Sequence, residues 1–98
     1  MLVLFSARRL KPGAWDQFRR AWDPEGDHPP GLQRVYHARN MRDEDEVISF
    51  GIFDGSPEAV SAVRGDETAE LKRQDAMAAF VENVPLEGVY EVVEEIKP

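Results

Sequence analysis

Leu32–Phe53 reads LQRVYHARNMRDEDEVISFGIF, two alternating runs joined by an acidic stretch. From Leu32 to about Met41, Leu32, Arg34, Tyr36 and Ala38 share one parity, and Val35, His37, Arg39 and Met41 the other. From Val47 to Phe53, Ile48, Phe50 and Ile52 alternate with Val47, Ser49, Gly51 and Phe53. A period of two over such lengths is the signature of strands, and a short polar link between them predicts an antiparallel hairpin. A tight turn at Asp43-Glu44 places His37 across from Phe50 and Arg39 across from Ile48.

Upstream, Leu2 to Leu10 has the composition of a strand, and Lys11-Pro12-Gly13 interrupts it. Pro12 fixes φ and lacks the amide that a first helical turn leaves unused, so a helix is expected from Gly13 to Trp22. Ala14, Trp15, Phe18, Ala21 and Trp22 recur there at helical spacing, with Asp16, Gln17, Arg19 and Arg20 between them. Asp23 to Gly31, rich in proline and glycine, reads as an irregular loop fit for a lid or rim. Downstream, Ser56-Pro57-Glu58 offers a hydroxyl N-cap, a proline in first position and an acid near the positive helix end. A short helix to about Arg64 and a longer one from about Glu67 to Asn83 are expected, the latter with Met77, Phe80, Val81 and Val84 as its apolar stripe. Pro85 and Gly88 stop it, and a last strand runs from Val89 to Ile96. The order β-α-β-β-α-β predicts an α+β, ferredoxin-like fold with an antiparallel sheet, in one domain over residues 1–98.

Every strand carries apolar side chains of both parities, whereas a sheet with one wet face alternates cleanly. The helices suffice for one face. The other is expected to meet a second copy, making the protein a homodimer.

With 42% hydrophobic and 32% charged residues the composition is that of a globular chain. The net charge of −7 and the scattered arginines argue against a nucleic-acid or anionic-membrane surface. There is no cysteine, hence no disulfide, thiolate nucleophile or cysteine metal ligand. The opening apolar stretch ends at Ser6 with no basic segment before it, too short for a signal peptide or a membrane span, so the cytoplasm is expected. No metal constellation and no glycine-rich phosphate loop is visible, so no cofactor is expected.

Lys11-Pro12-Gly13 after the first strand, Pro30-Gly31-Leu32 opening the second, and Phe53-Asp54-Gly55-Ser56-Pro57-Glu58-Ala59 after the third resemble the antibiotic biosynthesis monooxygenase-like family of the dimeric α+β barrel superfamily. The Ala76–Val81 segment, leading into a valine-rich end, resembles it too. The resemblance spans the chain and implies sheets paired into a barrel across a dimer, with a pocket between sheet and helices in each subunit. It also implies one of several activities, including cofactor-independent quinone-forming oxygenation and haem degradation. Haem degraders of this family use an Asn in the first strand and a Trp and a His in the helical segment. Ser6 and Ala7 stand in that strand here, and residues 57–83 contain neither Trp nor His, with Val63 and Arg73 near the expected places. That chemistry is not expected.

His37 is the candidate base and Arg39, of the same parity, the candidate anion-stabilising group, each weighed against a hydrogen-bonded core histidine and a sheet-end arginine paired to the acidic turn. Trp22 and Phe50, with Trp15, are candidate substrate-binding walls, although the tryptophans also fit a plain core stripe. Tyr36, of opposite parity, is assigned to the dimer interface, and His28 to a solvated loop. Ser6 and Ser49 have no histidine that the sequence alone brings near, so no serine nucleophile is assigned. Two readings follow: a cofactor-independent monooxygenase for a phenolic or polycyclic aromatic substrate, or a non-catalytic dimer that binds a small apolar ligand or is purely structural.

Overall fold

The computed structural model describes residues 1–22, 31–56, 58 and 74–98. Strand β1 is Leu2–Leu10, helix α1 Trp15–Trp22, β2 Leu32–Asn40, β3 Asp43–Phe53 and β4 Val81–Glu91. The strands form one antiparallel sheet in the order β2-β3-β1-β4, the ferredoxin-like arrangement, and the sheet is open at β2 and β4. The expected short helix to Arg64 apart from residue 58, residues 67–73 of the longer one, and residues 23–30 of the loop carrying His28 lie outside the described residues.

Register explains how the two faces divide. Leu2 pairs with Phe53, Ser6 with Ser49 and Arg8 with Val47 across β1 and β3, and His37 pairs with Ser49 across β2 and β3. Directly opposed residues in an antiparallel ladder share a face. Leu2, Ser6, Arg8, Leu10, Val47, Ser49, Phe53, Val35, His37 and Arg39 therefore point to the side that α1 covers. Leu10, Phe18, Val47 and Met77 form the main core there, packed by Trp15, Ala21, Trp22, Phe80 and Val81. Leu2 and Phe53 make a second cluster with Leu4 and Leu32. Phe18 is fully buried, a contribution of about 1.5–3 kcal/mol from transfer alone.

The opposite face holds Phe5, Ile48, Phe50, Ile52, Tyr36, Leu86 and Tyr90. Tyr36 stacks on Phe50 with centroids 5.1 Å apart, and Phe5 meets Tyr90 edge-on at 6.1 Å. Tyr36 and Tyr90 remain 42% exposed and Leu86 50% exposed.

Three sequence expectations need correction. The hairpin turn is at Met41-Arg42, with Asn40 opposite Asp43, so His37 faces Ser49 and Arg39 faces Val47. Short polar side chains hold that turn: Asn40 Oδ1 accepts from the Arg42 amide at 2.8 Å, and Asp43 Oδ1 from the Asp45 amide at 3.1 Å. The register then shifts between Arg39 and Asn40, which accommodates Glu44, Asp45 and Glu46 on β3.

The helix does not start at Gly13, and Pro12 does not belong to its first turn. Pro12 occupies the second position of a turn in which the Ala14 amide bonds the Lys11 carbonyl at 3.1 Å, with Gly13 at φ +73° as a type II turn demands. The helix begins two residues after Gly13.

The largest change is at the C-terminal end. The described helical turn covers residues 74–78, and Val81, Asn83 and Val84 belong to β4 rather than to a helix. Val81–Glu91 replaces the expected Val89–Ile96 strand because β1 satisfies its backbone along its whole length, from Leu10 opposite Val81 to Leu2 opposite Glu91. Pro85 falls on this edge strand near the register shift between Ala7 and Arg9, where its missing amide breaks no regular ladder. Beyond Glu91 the chain is not regular; the Val92 amide bonds the Met1 carbonyl at 3.0 Å, and Val93 and Ile96 are exposed.

Candidate functional site: a caged histidine

His37 sits mid-strand on the covered face, where α1 crosses β2. Trp15, Phe18 and Trp22 lie on one stripe of that helix, so all three rings converge on the imidazole. Trp22 is perpendicular to it at 4.5 Å, Trp15 stands at 5.8 Å and Phe18 at 6.3 Å, all edge-on. His37 Nδ1 is 2.7 Å from the Ser49 hydroxyl oxygen. Nε2 is buried and has no hydrogen-bond partner among the described residues.

Each ring of the cage carries an arginine. The Arg8 guanidinium lies 5.4 Å from the Phe18 ring centre, Arg19 5.7 Å from Trp22, and Arg39 5.7 Å from Trp15. Burial pushes the His37 imidazole below its usual pKa, and the positive charges of Arg19 and Arg8 push the same way. The ring is therefore neutral at pH 7 and able to accept a proton. Arg8 and Ser49 are both buried polar side chains.

A half-open cleft of about 290 Å³ reaches His37, with Arg19, Trp22, Leu32, Gln33 and Val35 among its lining. That is near the lower end of small-molecule pockets, roughly 300–1,000 Å³. A second depression, of about 470 Å³, lies at the hairpin tip among Arg39, Asn40, Met41, Arg42 and Glu44. It has no aromatic lining, and the histidine is absent from it.

The structure thus brings His37, Trp15 and Trp22 together. It sets Phe50 on the other face, stacked on Tyr36, so Phe50 is not a wall of this cleft. The one-residue error in hairpin register is the cause, since a slip of one inverts every side chain. Arg39 shares the face of His37 but borders the hairpin-tip depression instead. Sequence reasoning missed Ser49 as the partner of His37, and Arg19 and Arg34 as the arginines that line the cleft. Asn40 and Asp43, the residue types that cap turns with their own side chains, were the signal for the correct turn and hence for Ser49.

Among the described residues no group of three or more His, Cys, Asp or Glu could hold a metal ion, and no helix is long and apolar enough to cross a membrane.

No family model matches the sequence, and no curated protein matches it. Solved structures do. SnoaB from Streptomyces nogalater, a cofactor-independent oxygenase seen as a mutant form, superposes with a TM-score of 0.76 at 11% identity, over 99% of this chain and 97% of its own. A candidate antibiotic biosynthesis monooxygenase from Chloroflexus aurantiacus J-10-fl gives 0.73 at 17% identity, covering 98% and 96%. Another, from Nitrosomonas europaea, gives 0.72 at 16%, covering 96% and 100%. The chain has an α+β ferredoxin-like fold. More narrowly, it is the fold of the antibiotic biosynthesis monooxygenase-like proteins, matched over nearly its whole length.

Proposed function

We propose that the protein is a cofactor-independent monooxygenase for a small phenolic or polycyclic aromatic substrate, working as a cytoplasmic homodimer. The observation that carries this reading is the neutral His37, its Nε2 unpartnered among the described residues, at a cleft walled by Trp22. In the reaction a base removes a proton from the activated aromatic. The anion transfers electrons to O₂, one oxygen atom enters the ring as a carbonyl, and the other leaves as water. His37 Nε2 is the base. Arg19, lining the cleft beside Trp22, attracts the anion; Arg39 lies further out, over Trp15. SnoaB, described as a cofactor-independent oxygenase, supports the reading through fold alone.

The dimer rests on the open face of the sheet. Its aromatic pairs are those of an interior, and two such faces together would bury on the order of 2,000 Å² or more, the obligate range.

The test is oxygen consumption with a panel of hydroxylated bicyclic and tricyclic aromatics. His37→Gln keeps polarity and approximate volume, and the expected result is uptake lowered by about 100-fold or more with the melting temperature nearly unchanged. Retained uptake would remove His37 from the chemistry. The second reading, a ligand-binding dimer without turnover, is favoured by the small cleft and the close Trp22 contact. It predicts quenching of Trp22 fluorescence by the same aromatics without oxygen uptake.

A further inference from the structure

We infer that Ser49 is a positioning residue that holds His37 as its Nδ1–H tautomer, so that the buried Nε2, on the residue that lines the cleft, keeps a bare lone pair. The inference rests on the proposed function only for its consequence in turnover. The tautomer is a property of the folded chain.

A serine hydroxyl can donate or accept, so the 2.7 Å contact between His37 Nδ1 and Ser49 Oγ is compatible with either tautomer. The surroundings of Nε2 decide between them. Nε2 is buried with no hydrogen-bond partner among the described residues, three aromatic rings stand around the imidazole, and the charges that act on the ring, Arg19 and Arg8, are positive. Among the described residues, a proton on Nε2 would point into a shell with no lone pair to receive it. A lone pair on Nε2 leaves no buried donor unpaired and suits the positive charges of Arg19 and Arg8, and it leaves the proton on Nδ1, where Ser49 is in reach.

Ser49 Oγ then accepts from Nδ1–H, and its own hydroxyl proton needs an outlet. The sheet places one beside it. Ser49 lies directly opposite Ser6, and Ser6 opposite Glu87, so Glu87, Ser6, Ser49 and His37 form one row across four strands on the covered face. Directly opposed residues have Cβ atoms about 4.5–5.5 Å apart. The row therefore places the Ser6 side chain on the side of Ser49 away from the imidazole, where a rotation of either hydroxyl could bring an acceptor to it. When Nε2 takes a proton, the Nδ1–H bond to Ser49 strengthens. That is the part an orienting group plays beside any histidine base.

The test is nitrogen-15 NMR of the full chain above the titration range of the imidazole. The chain has two histidines, so a His28→Gln background leaves His37 alone in the spectrum. The expected spectrum shows a protonated, pyrrole-like Nδ1 and a pyridine-like Nε2. Ser49→Ala should move the ring toward the Nε2–H form that free histidine prefers, and Ser49→Thr, which keeps the hydroxyl, should restore Nδ1–H. With an oxidisable aromatic, Ser49→Ala should lower kcat roughly 10- to 100-fold with little change in KM, and Ser49→Thr should recover most of it. Nε2–H in the unsubstituted protein overturns the inference whatever the variants do, and so does a tautomer that Ser49→Ala leaves unchanged. Nδ1–H in a protein that consumes no oxygen supports the tautomer and rejects the oxygenase reading, so the two failures are distinct.

Discussion

The two faces of this sheet are almost equally apolar, yet one hides a histidine, two serines and an arginine while the other shows its aromatics to solvent. On the covered face Leu10, Phe18, Val47 and Met77 are each 4% exposed or less. On the open face Tyr36 and Tyr90 are paired with Phe50 and Phe5 but still reach solvent. Hydrophobicity alone does not mark the core side. What distinguishes the covered face is that its polar groups sit against specific neighbours, His37 on Ser49 and the arginines on aromatic rings, as buried polar groups must. On the open face the polar pairing, Arg9 with Asp43, lies at the hairpin end and the centre is aromatic, which is the surface the proposed dimer would cover.

The sharpest way to test that contrast is to remove one ring from each side. Phe18→Ala empties the centre of the covered core, and unfolding free energy should fall by about 3–5 kcal/mol in denaturant titration. Phe50→Lys, on the open face, should barely change the stability of the isolated subunit but should turn dimer into monomer in sedimentation at low micromolar concentration. If the unsubstituted protein already sediments as monomer, the open face has no second copy on it and the contrast between the faces loses its explanation.

Much of this arrangement was legible beforehand, and the failures have physical causes. The β1 strand, the α1 stripe and the ferredoxin-like order followed from period alone, because each element keeps its period for two or more turns or for many alternating residues. The shared parity of His37 and Arg39, opposite to Tyr36, was legible for the same reason. Phe50 was misplaced because hairpin register depends on which two residues make the turn, and Asp43-Glu44 competes with Met41-Arg42 for that role. The β4 boundaries were missed because Met77, Phe80, Val81 and Val84 suit a helix locally, while the pairing of Leu10 with Val81 is a tertiary demand that local spacing does not express. Ser49 became visible as the partner of His37 only once the register was known.

Acid should separate the faces next. The covered face holds a histidine whose pKa lies below that of the unfolded chain, near 6.5. As pH falls through that region the unfolded chain binds the proton first, so stability is fully present above the unfolded value and declines as pH falls through the folded one. The charges facing the ring, Arg8 and Arg19, are positive and deepen the effect. Melting temperature should therefore drop between neutral and mildly acidic pH, and His37→Gln should flatten that segment of the curve. An identical slope in the variant would mean that the imidazole is not held neutral by its cage.

The smallest effect belongs to the open face. Arg9 Nη1 lies 2.7 Å from Asp43 Oδ2, with both side chains more than a third exposed. The Arg9 hydrogen bond, helped by the Asp45 amide, holds the Asp43 carboxyl below its ordinary value. A depressed carboxylate contributes stability above the unfolded pKa and loses it as pH falls through the folded one. In a free subunit this pair is wetted and screened, and Asp43→Asn should leave melting essentially unchanged at moderate salt. Arg9 lies on the same face as Phe5 and Phe50, at the hairpin end of the strands. A second copy on that face would dry the pair, and removal of the Asp43 charge would leave Arg9 only its looser contact with Glu82, 3.8 Å away. Asp43→Asn should therefore lower the melting temperature at protein concentrations where the dimer is full and not where it has dissociated. A loss of the same size at both concentrations would put the Arg9–Asp43 pair outside the contact and confine the interface to the aromatic centre of the sheet.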